Sequence, residues 1–447
     1  MLSISAEEPS MHLLRKIQAV GLLIVVAIFV AACGPASESE PEPALAPATI
    51  RWQTWDLTSQ AEELLVRQFQ EHNPQIQFER GSQDGSPEQE LNETPPPDLL
   101  NMDAGRGLIE LARAGLVADL TELWQENGLI EAVPPQLQAL TAYQDRQYYM
   151  PTGFGWKAIY YNKAIFDQYG LTPPQTWEEF LAICETLLTN GETPLSISGS
   201  EAWAIFGWFE YLNLRINGPE FHRNLLAGHE RYDDPRVRRV METWQSLFTN
   251  GYFIEQPNTI GSLTSMTAII RGDNGMLGRQ RAVMVLADTY TYGELPAPFQ
   301  AEVDFFRFPV IDPALPVAEV VDLFGYIVPL GADQLPATLH FLEYAGSAET
   351  QGIMAQAAFF QSAQFAPARG DVAEERLSAN QRKALALVNE ADEAVLSFVL
   401  ATPREMFGQV YYRFTSFVNE PTEIDEFLLK FEEVRQNMVA QGKLQVE

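Results

Sequence analysis

The chain has 447 residues, 46 % of them apolar, which is enough for two or three globular domains and too hydrophobic for a disordered protein. Sixty acidic residues against 29 basic ones give a formal charge of −31. Such a field repels nucleic acid and anionic lipid surfaces and disfavours phosphate-rich ligands, while neutral or cationic small molecules remain compatible with it.

At the N-terminus, Arg15 and Lys16 precede an unbroken apolar run from Val20 to Ala32, followed by Cys33 and Gly34. A basic region, a short hydrophobic core and small residues before a cut site make a secretory signal. Val30-Ala31-Ala32-Cys33 resembles a bacterial lipobox, which implies cleavage before Cys33 and lipidation of its sulfur and new amino group. The run falls short of the ~20 apolar residues that span a bilayer. Glu7 and Glu8 are out of place in a leader, so translation from Met11 is an alternative to Met1. Residues 1–33 thus read as the signal. Residues 34–48, rich in Pro, Ser and Glu, read as an extended tether. The other cysteine, Cys184, has no partner within the chain, so no disulfide is expected.

ATIRWQTWD (48–56) is β-prone, and Ser59-x-x-Glu62 then has the form of a capping box for a helix with Leu65 and Phe69 on one face, stopped at Asn73-Pro74. IQFER (76–80) and DLLNMD (98–103) are the next strands, and GRGLIELARAG is a helix ending at Gly115. This β-α-β-α alternation predicts a mostly parallel, doubly wound sheet, with ligands outside the carboxyl ends of the strands at Trp55-Asp56 and Met102-Asp103. YYMPTGFGWKAIYYN (148–162) sets two glycines among aromatic rings. Its Gly153-x-Gly155-x-x-Ala158 matches a dinucleotide fingerprint, but that motif must open a helix, and KAIYY is β-prone. Thr176-x-x-Glu179 caps a helix that puts Trp177, Phe180 and Cys184 on a core face. SISGS (196–200), RAVMVLAD (281–288), VDFFRFPV (303–310) and VVDLFGYIVPL (320–330) read as strands, with helix-rich sequence at 201–250 and from Pro336 onward.

Taken in order, these segments resemble the bacterial extracellular solute-binding proteins of family 1, the maltose-binding type that serves ABC importers. The resemblance runs through IRWQTWD, FQEHNPQIQFE, PPDLLNMD and LARAGLVADLTELW, and is most specific in YYMPTGFGWKAIYYNKAIFDQYGLTPPQTWEEF; RAVMVLADTY, FRFPV, LHFLEYAGSAETQ and FAPAR complete it. It implies an α/β, two-lobed periplasmic-binding fold of type II, with doubly wound sheets joined by hinge strands. The expected division is 49–152 with 302–331 in the first lobe and 153–301 with 332–447 in the second, with crossings near Thr152, Glu302 and Gly331. The ligand class it implies is a sugar or oligosaccharide, with glycerol-phosphate or another solute as the alternative. The expected partners are that small molecule and a pair of membrane permease subunits, with no nucleic acid, for a monomer held outside the membrane by lipidated Cys33.

A sugar ring offers a C–H face to aromatic rings and a hydroxyl edge to charged and amide groups. The candidate stacking residues are Trp55, Phe154, Trp156, Trp203, Trp208, Tyr290 and Phe324, and the candidate hydrogen-bonding residues are Asp56, Asp103, Arg106, Glu201, Asp288 and Arg369. For Arg369 the alternative is a helix cap or a pairing with an acid. His222 and His229 lie among acids at irregular spacing, which reads as a solvated polar face rather than a metal site. No nucleophile elbow, zinc motif or phosphate loop is present, so binding without catalysis or cofactor is expected, and the alternative class is an extracellular glycoside-active enzyme.

Overall fold

The computed structural model describes residues 45–55, 59–83, 87–270, 281–357, 365–421 and 423–444, apart from the side chains of residues 88, 202 and 203. The expected leader, Cys33, the tether up to residue 44, Asp56 and the side chain of Trp203 lie outside the described residues.

Strands β1 (Ala48–Thr54), β2 (Ile76–Ser82) and β3 (Leu99–Asp103) run parallel in the order β2-β1-β3, as the β-α-β-α alternation predicts. The helix Gln60–His72 connects the first two. Only half of its capping box forms: Ser59 accepts from the Glu62 amide at 3.3 Å. The Glu62 side chain turns into the sheet instead, accepting from Thr54 Oγ1 (2.7 Å), Asn101 Nδ2 (2.7 Å) and Arg80 Nη2 (2.5 Å). A carboxylate buried to 1 % exposure needs all of them. By contrast, Thr176 and Glu179 form both halves of their box at the start of the helix Trp177–Thr189, which buries Trp177 and Cys184.

A short hairpin, β4 (Ala142–Tyr143) and β5 (Arg146–Gln147), leads to β6 (Met150–Asn162), thirteen residues long and buried at every position. Covered on both faces, β6 shows no regular polar alternation; Thr152, Lys157 and Asn162 are its polar members in an otherwise aromatic and apolar sequence. Because it continues as strand through Asn162, the glycine fingerprint opens no helix. Later strands are β7 (Leu195–Ser196), β8 (Met284–Asp288), β9 (Val303–Phe306), β10 (Ala318–Ile327), β11 (Ala366–Pro367) and β12 (Glu393–Leu396). The main path is β2-β1-β3-β10-β6-β8-β7, with β9 and β11 also on β6 and β12 on β10.

Two strands serve both lobes. The first half of β6 pairs with β10, from Met150 opposite Tyr326 to Trp156 opposite Val321. Its second half pairs with β8 and β9, from Lys157 opposite Asp288 onward. In turn, β10 pairs with β12 over Ala318–Val321 and with β3 over Phe324–Ile327. Its register shifts between Phe324 and Gly325, where the backbones approach so closely that a Cβ on Gly325 would collide with the Met150 carbonyl.

The sequence suggested crossings near Thr152, Glu302 and Gly331; the strands change pairing partners between Trp156 and Lys157 in β6 and between Val321 and Phe324 in β10. Residues 303–321 therefore go with the second lobe, where Phe308 stacks on Tyr211 at 5.0 Å. The helix Leu335–Ala345, expected there, packs on the first lobe instead, with Phe341 5.7 Å from Trp52, 5.2 Å from Phe69 and 4.9 Å from Phe78.

The second lobe is built on the helix Ala202–Leu226, broken at Gly218 (φ 84°) just before Pro219, and on the helices Pro235–Thr249, Arg404–Asn419 and Ile424–Ala440. A buried ion cluster ties the first of these to β10. Glu319, with no exposed surface, takes Arg215 Nη2 at 2.9 Å, Arg307 Nε at 3.0 Å and the Tyr211 hydroxyl at 3.0 Å, while Arg215 Nη1 donates to the Ala318 carbonyl at 2.6 Å. Removing the carboxylate strands the Arg215 charge in the interior. Glu319→Ala is expected to lower stability by about 3–5 kcal/mol in urea unfolding, and the double variant Glu319→Leu/Arg215→Met by less.

Candidate functional site

Cross-strand partners point to the same face of a sheet, as do alternate residues along a strand. Phe324 lies opposite both Asp103 on β3 and Gly153 on β6, Asp322 lies opposite Gly155, and Lys157 lies opposite Asp288. Asp103, Asp322, Phe324, Gly153, Gly155, Lys157 and Asp288 therefore share one face of the strands that join the lobes. Phe154 and Trp156 point the other way.

On that face four rings from four separate segments meet. Phe324 and Phe365 are 4.3 Å apart, and Tyr290 stands edge-on to both at 5.7 and 5.0 Å. Trp55, half-buried just beyond β1, packs against the group. The glycines make room for it. A Cβ on Gly155 would lie 3.1 Å from Thr289 Cγ2 and 3.4 Å from Phe324 Cε2, and one on Gly153 would lie 3.0 Å from the Ala366 carbonyl. The rings rest on each other, and the void left beside Gly153 and Phe365 is about 30 Å³, the share of a single water.

The charges beside the rings are mostly acceptors. Asp103 Oδ1 and Asp322 Oδ1 are buried with no hydrogen-bond partner among the described residues. Burial, and then the neighbouring Asp322, pushes the Asp103 carboxyl up to about 8. Lys157 Nζ lies 3.4 Å from Asp322 Oδ2. Burial alone would lower the lysine's pKa, but Asp322, Glu210 and Asp288 together hold it above its usual value. Asp288 caps the short helix Thr289–Gly293, its Oδ1 accepting from the Thr291 amide (2.9 Å) and hydroxyl (3.1 Å), and so fixes where Tyr290 projects. Apolar faces flanked by acceptors and one donor suit a flat, hydroxylated or amine-bearing solute. Among the described residues, no group of three or more His, Cys, Asp or Glu is placed to hold a metal ion.

Of the residues singled out from sequence, Trp55, Asp103, Asp288, Tyr290 and Phe324 are brought together here. Others are placed elsewhere. Phe154 is enclosed behind the sheet, and Trp156 lies 5.7 Å from Phe305. Trp208 is core, edge-on to Phe253 and Phe308. Arg106 turns away to Glu110 Oε1 (2.8 Å) and the Lys443 carbonyl (2.7 Å). Arg369 has its alternative role: Nη1 donates to the Gly346 carbonyl at the end of the helix Leu335–Ala345, and Nη2 pairs with Asp371 at 2.8 Å. Glu201 accepts from the Ser262 amide at 3.1 Å, and Trp203 falls within the helix Ala202–Leu226. His222 is not on a solvated face but fully buried against Asn213. Asp322, Lys157 and Phe365 were missed. The signal for the first two was a lone charge inside an apolar strand sequence, VVDLFG and GFGWKAIYY.

A family model, bacterial extracellular solute-binding protein, matches residues 54–352, and the chain belongs to that family. A probable sugar-binding periplasmic protein of Mesorhizobium japonicum is 26 % identical over 299 residues, 65 % of this chain and 66 % of that one. An uncharacterized ABC transporter extracellular-binding protein of Pyrococcus horikoshii is 23 % identical over 260 residues, covering 57 % and 56 %. The multiple sugar-binding protein of Streptococcus mutans is 23 % identical over 210 residues, 46 % of this chain and 48 % of that one. The matched stretches thus span between about half and two thirds of these relatives' lengths. Among solved structures, the bacterial solute receptor AcbH, described by an exclusive preference for b-D-galactopyranose, superposes with a TM-score of 0.77 at 20 % identity, covering 89 % of this chain and 98 % of that one. RafE of Streptococcus pneumoniae in its apo form gives 0.72 at 18 % identity, covering 89 % and 100 %. The fold is the two-lobed one of the solute-binding proteins.

The raised Asp103 carboxyl links stability to pH. Its folded value, about 8, exceeds the ~3.9 of an unfolded aspartate, so between these values the native state holds a proton that the unfolded state has lost. That contribution is complete below pH ~4 and falls away as pH rises to about 8. Asp103→Asn removes it: in urea unfolding, the variant is expected to gain on the wild type as pH goes from 5 to 8, by up to ~1.4 kcal/mol per pH unit.

Proposed function

We propose that the chain is the substrate-binding component of an ABC importer, that its ligand is a carbohydrate, and that it works by binding rather than catalysis. The observation that carries this reading is the meeting of Trp55, Tyr290, Phe324 and Phe365 with Asp103, Asp322 and Lys157 at the strands joining the lobes. The C–H face of a sugar would lie on the rings, its hydroxyls donating to Asp103 and Asp322 and accepting from Lys157. Because these groups come from both lobes, a ligand that touches all of them favours the closed arrangement by its differential affinity. The sugar-binding names of the Mesorhizobium and Streptococcus relatives support the ligand class. The N-terminal leader and lipobox-like Cys33 support anchoring outside the membrane, where the closed form would meet a permease pair.

A thermal-shift screen of mono- and oligosaccharides, followed by calorimetry, tests the ligand class. At least one sugar should raise the melting temperature and change tryptophan emission without being hydrolysed. Trp55→Ala and Tyr290→Ala should each weaken its binding at least about tenfold, ~1.4 kcal/mol, while Trp208→Phe leaves affinity unchanged. Release of reducing sugar would mark an enzyme instead. For the anchor, Cys33→Ala should shift the exported protein from the membrane fraction to the soluble one and abolish labelling by radioactive palmitate.

A further inference from the structure

The charges on the face of the aromatic group do not balance. Asp103 stands opposite Phe324, and Asp322 lies two residues earlier on the same strand. The two carboxylates are therefore diagonal neighbours on one face, with Cα atoms ~7–8 Å apart. Both residues are half-buried rather than sealed, and the Asp322 side chain keeps 18 % of its surface. Asp288 joins them from β8, opposite Lys157, and Glu210 reaches the same lysine from the helix Ala202–Leu226. Against these four acids, Lys157 is the one cation that the described residues bring up.

The lysine does not exhaust them. Its Nζ lies 3.4 Å from Asp322 Oδ2, longer than the ~2.7–2.9 Å of a closed ammonium–carboxylate bond. Asp288 spends Oδ1 on the helix it caps, and Glu210 spends Oε1 on the Phe398 amide. Asp103 Oδ1 and Asp322 Oδ1 have no partner among the described residues. Burial and the charge of Asp322 make Asp103 keep its proton at neutral pH. A cation set between the two aspartates would take the place of that proton and be shared by carboxylates from two strands. Tyr290, close enough to feel the charges of Asp103, Asp322 and Asp288, stands edge-on to Phe324 beside the same spot. Aromatic faces attract a cation further.

We propose that the carbohydrate taken by this cleft is an amino sugar, its ring lying on Trp55, Tyr290 and Phe324 and its ammonium held between Asp103 and Asp322. The proposal rests on the sugar reading above and narrows it from a neutral ligand to a cationic one. On binding, the ammonium replaces the Asp103 proton: R–NH₃⁺ and the neutral carboxyl give the ion pair, and one H⁺ leaves to solvent. Lys157 stays with Asp322 Oδ2, Asp288 and Glu210.

The test is calorimetry on the full chain at pH 7 with matched sets: glucose, glucosamine and N-acetylglucosamine; the galactose equivalents; and cellobiose, its β-1,4-linked diglucosamine counterpart and chitobiose. In at least one set the amine should bind about tenfold more tightly than both the hydroxyl and the acetylated sugar. Runs in two buffers of different ionisation enthalpy should count about one proton released per amine bound, and none for a neutral sugar. Asp103→Asn should bring the amine down to the level of the matching neutral sugar and end the proton release; should it not fold, the wild-type comparison and the proton count still decide. An amine that binds no better than its neutral partners, or that binds Asp103→Asn as tightly as the wild type, would overturn the proposal. If neutral sugars alone bind, the amino-sugar assignment fails and the carbohydrate reading stands; if no sugar binds at ~10 mM, both fail.

Discussion

The antiparallel pairing of β6 with β10 is the constraint on which the rest of the molecule depends. Both strands are continuous, so the same ladder that holds the sheet together also sets which side chains share the face of the aromatic group. With a side-chain period of two, the opposition of Asp322 to Gly155 and of Phe324 to Gly153 decides everything nearby. Slipping β10 by one residue against β6 would turn Asp322 and Phe324 behind the sheet.

Legibility from sequence followed how local each signal was. The parallel β1–β3 unit, the Thr176 capping box, the core role of Trp177 and Cys184 and the strand character of KAIYY all rest on patterns within some ten residues, and all were readable. The points where β6 and β10 change partners were not. A turn signal such as Gly331 marks where a chain bends, whereas these changes fall in mid-strand, where nothing in composition changes. The site divided similarly. Strand ends predicted Trp55, Asp103, Asp288 and Tyr290, because carboxyl ends of strands face the cleft in such sheets. In the aromatic stretch around Gly153 the rings were more conspicuous than the gaps between them, yet Phe154 and Trp156 turn behind the sheet and the glycines share the face of Asp103 and Phe324. Glu62 makes the same point on a smaller scale: its spacing from Ser59 spelled a reciprocal cap, but the buried Thr54 and Asn101 and the half-buried Arg80 hold its carboxylate instead.

On the cleft face, carboxylates outnumber the single ammonium, and Asp103 answers by holding a proton. The overall acidity of the sequence does not predict this, because a mean charge says nothing about how burial sorts the groups.

The backbone contact at Gly325 bears on how such a molecule can diverge. Every family of binding proteins must change its specificity without losing its hinge. Here two different demands fall on neighbouring residues: Phe324 packs into the ring group on the face shared with Asp103, while Gly325 must stay bare for the Met150 carbonyl to pass. The ring at 324 and the acid at 322 can be exchanged without disturbing the backbone crossing, yet the adjoining position tolerates no side chain at all. Drift in this segment is channelled onto alternate residues, and lineages that differ in diet should still bend at the same joint.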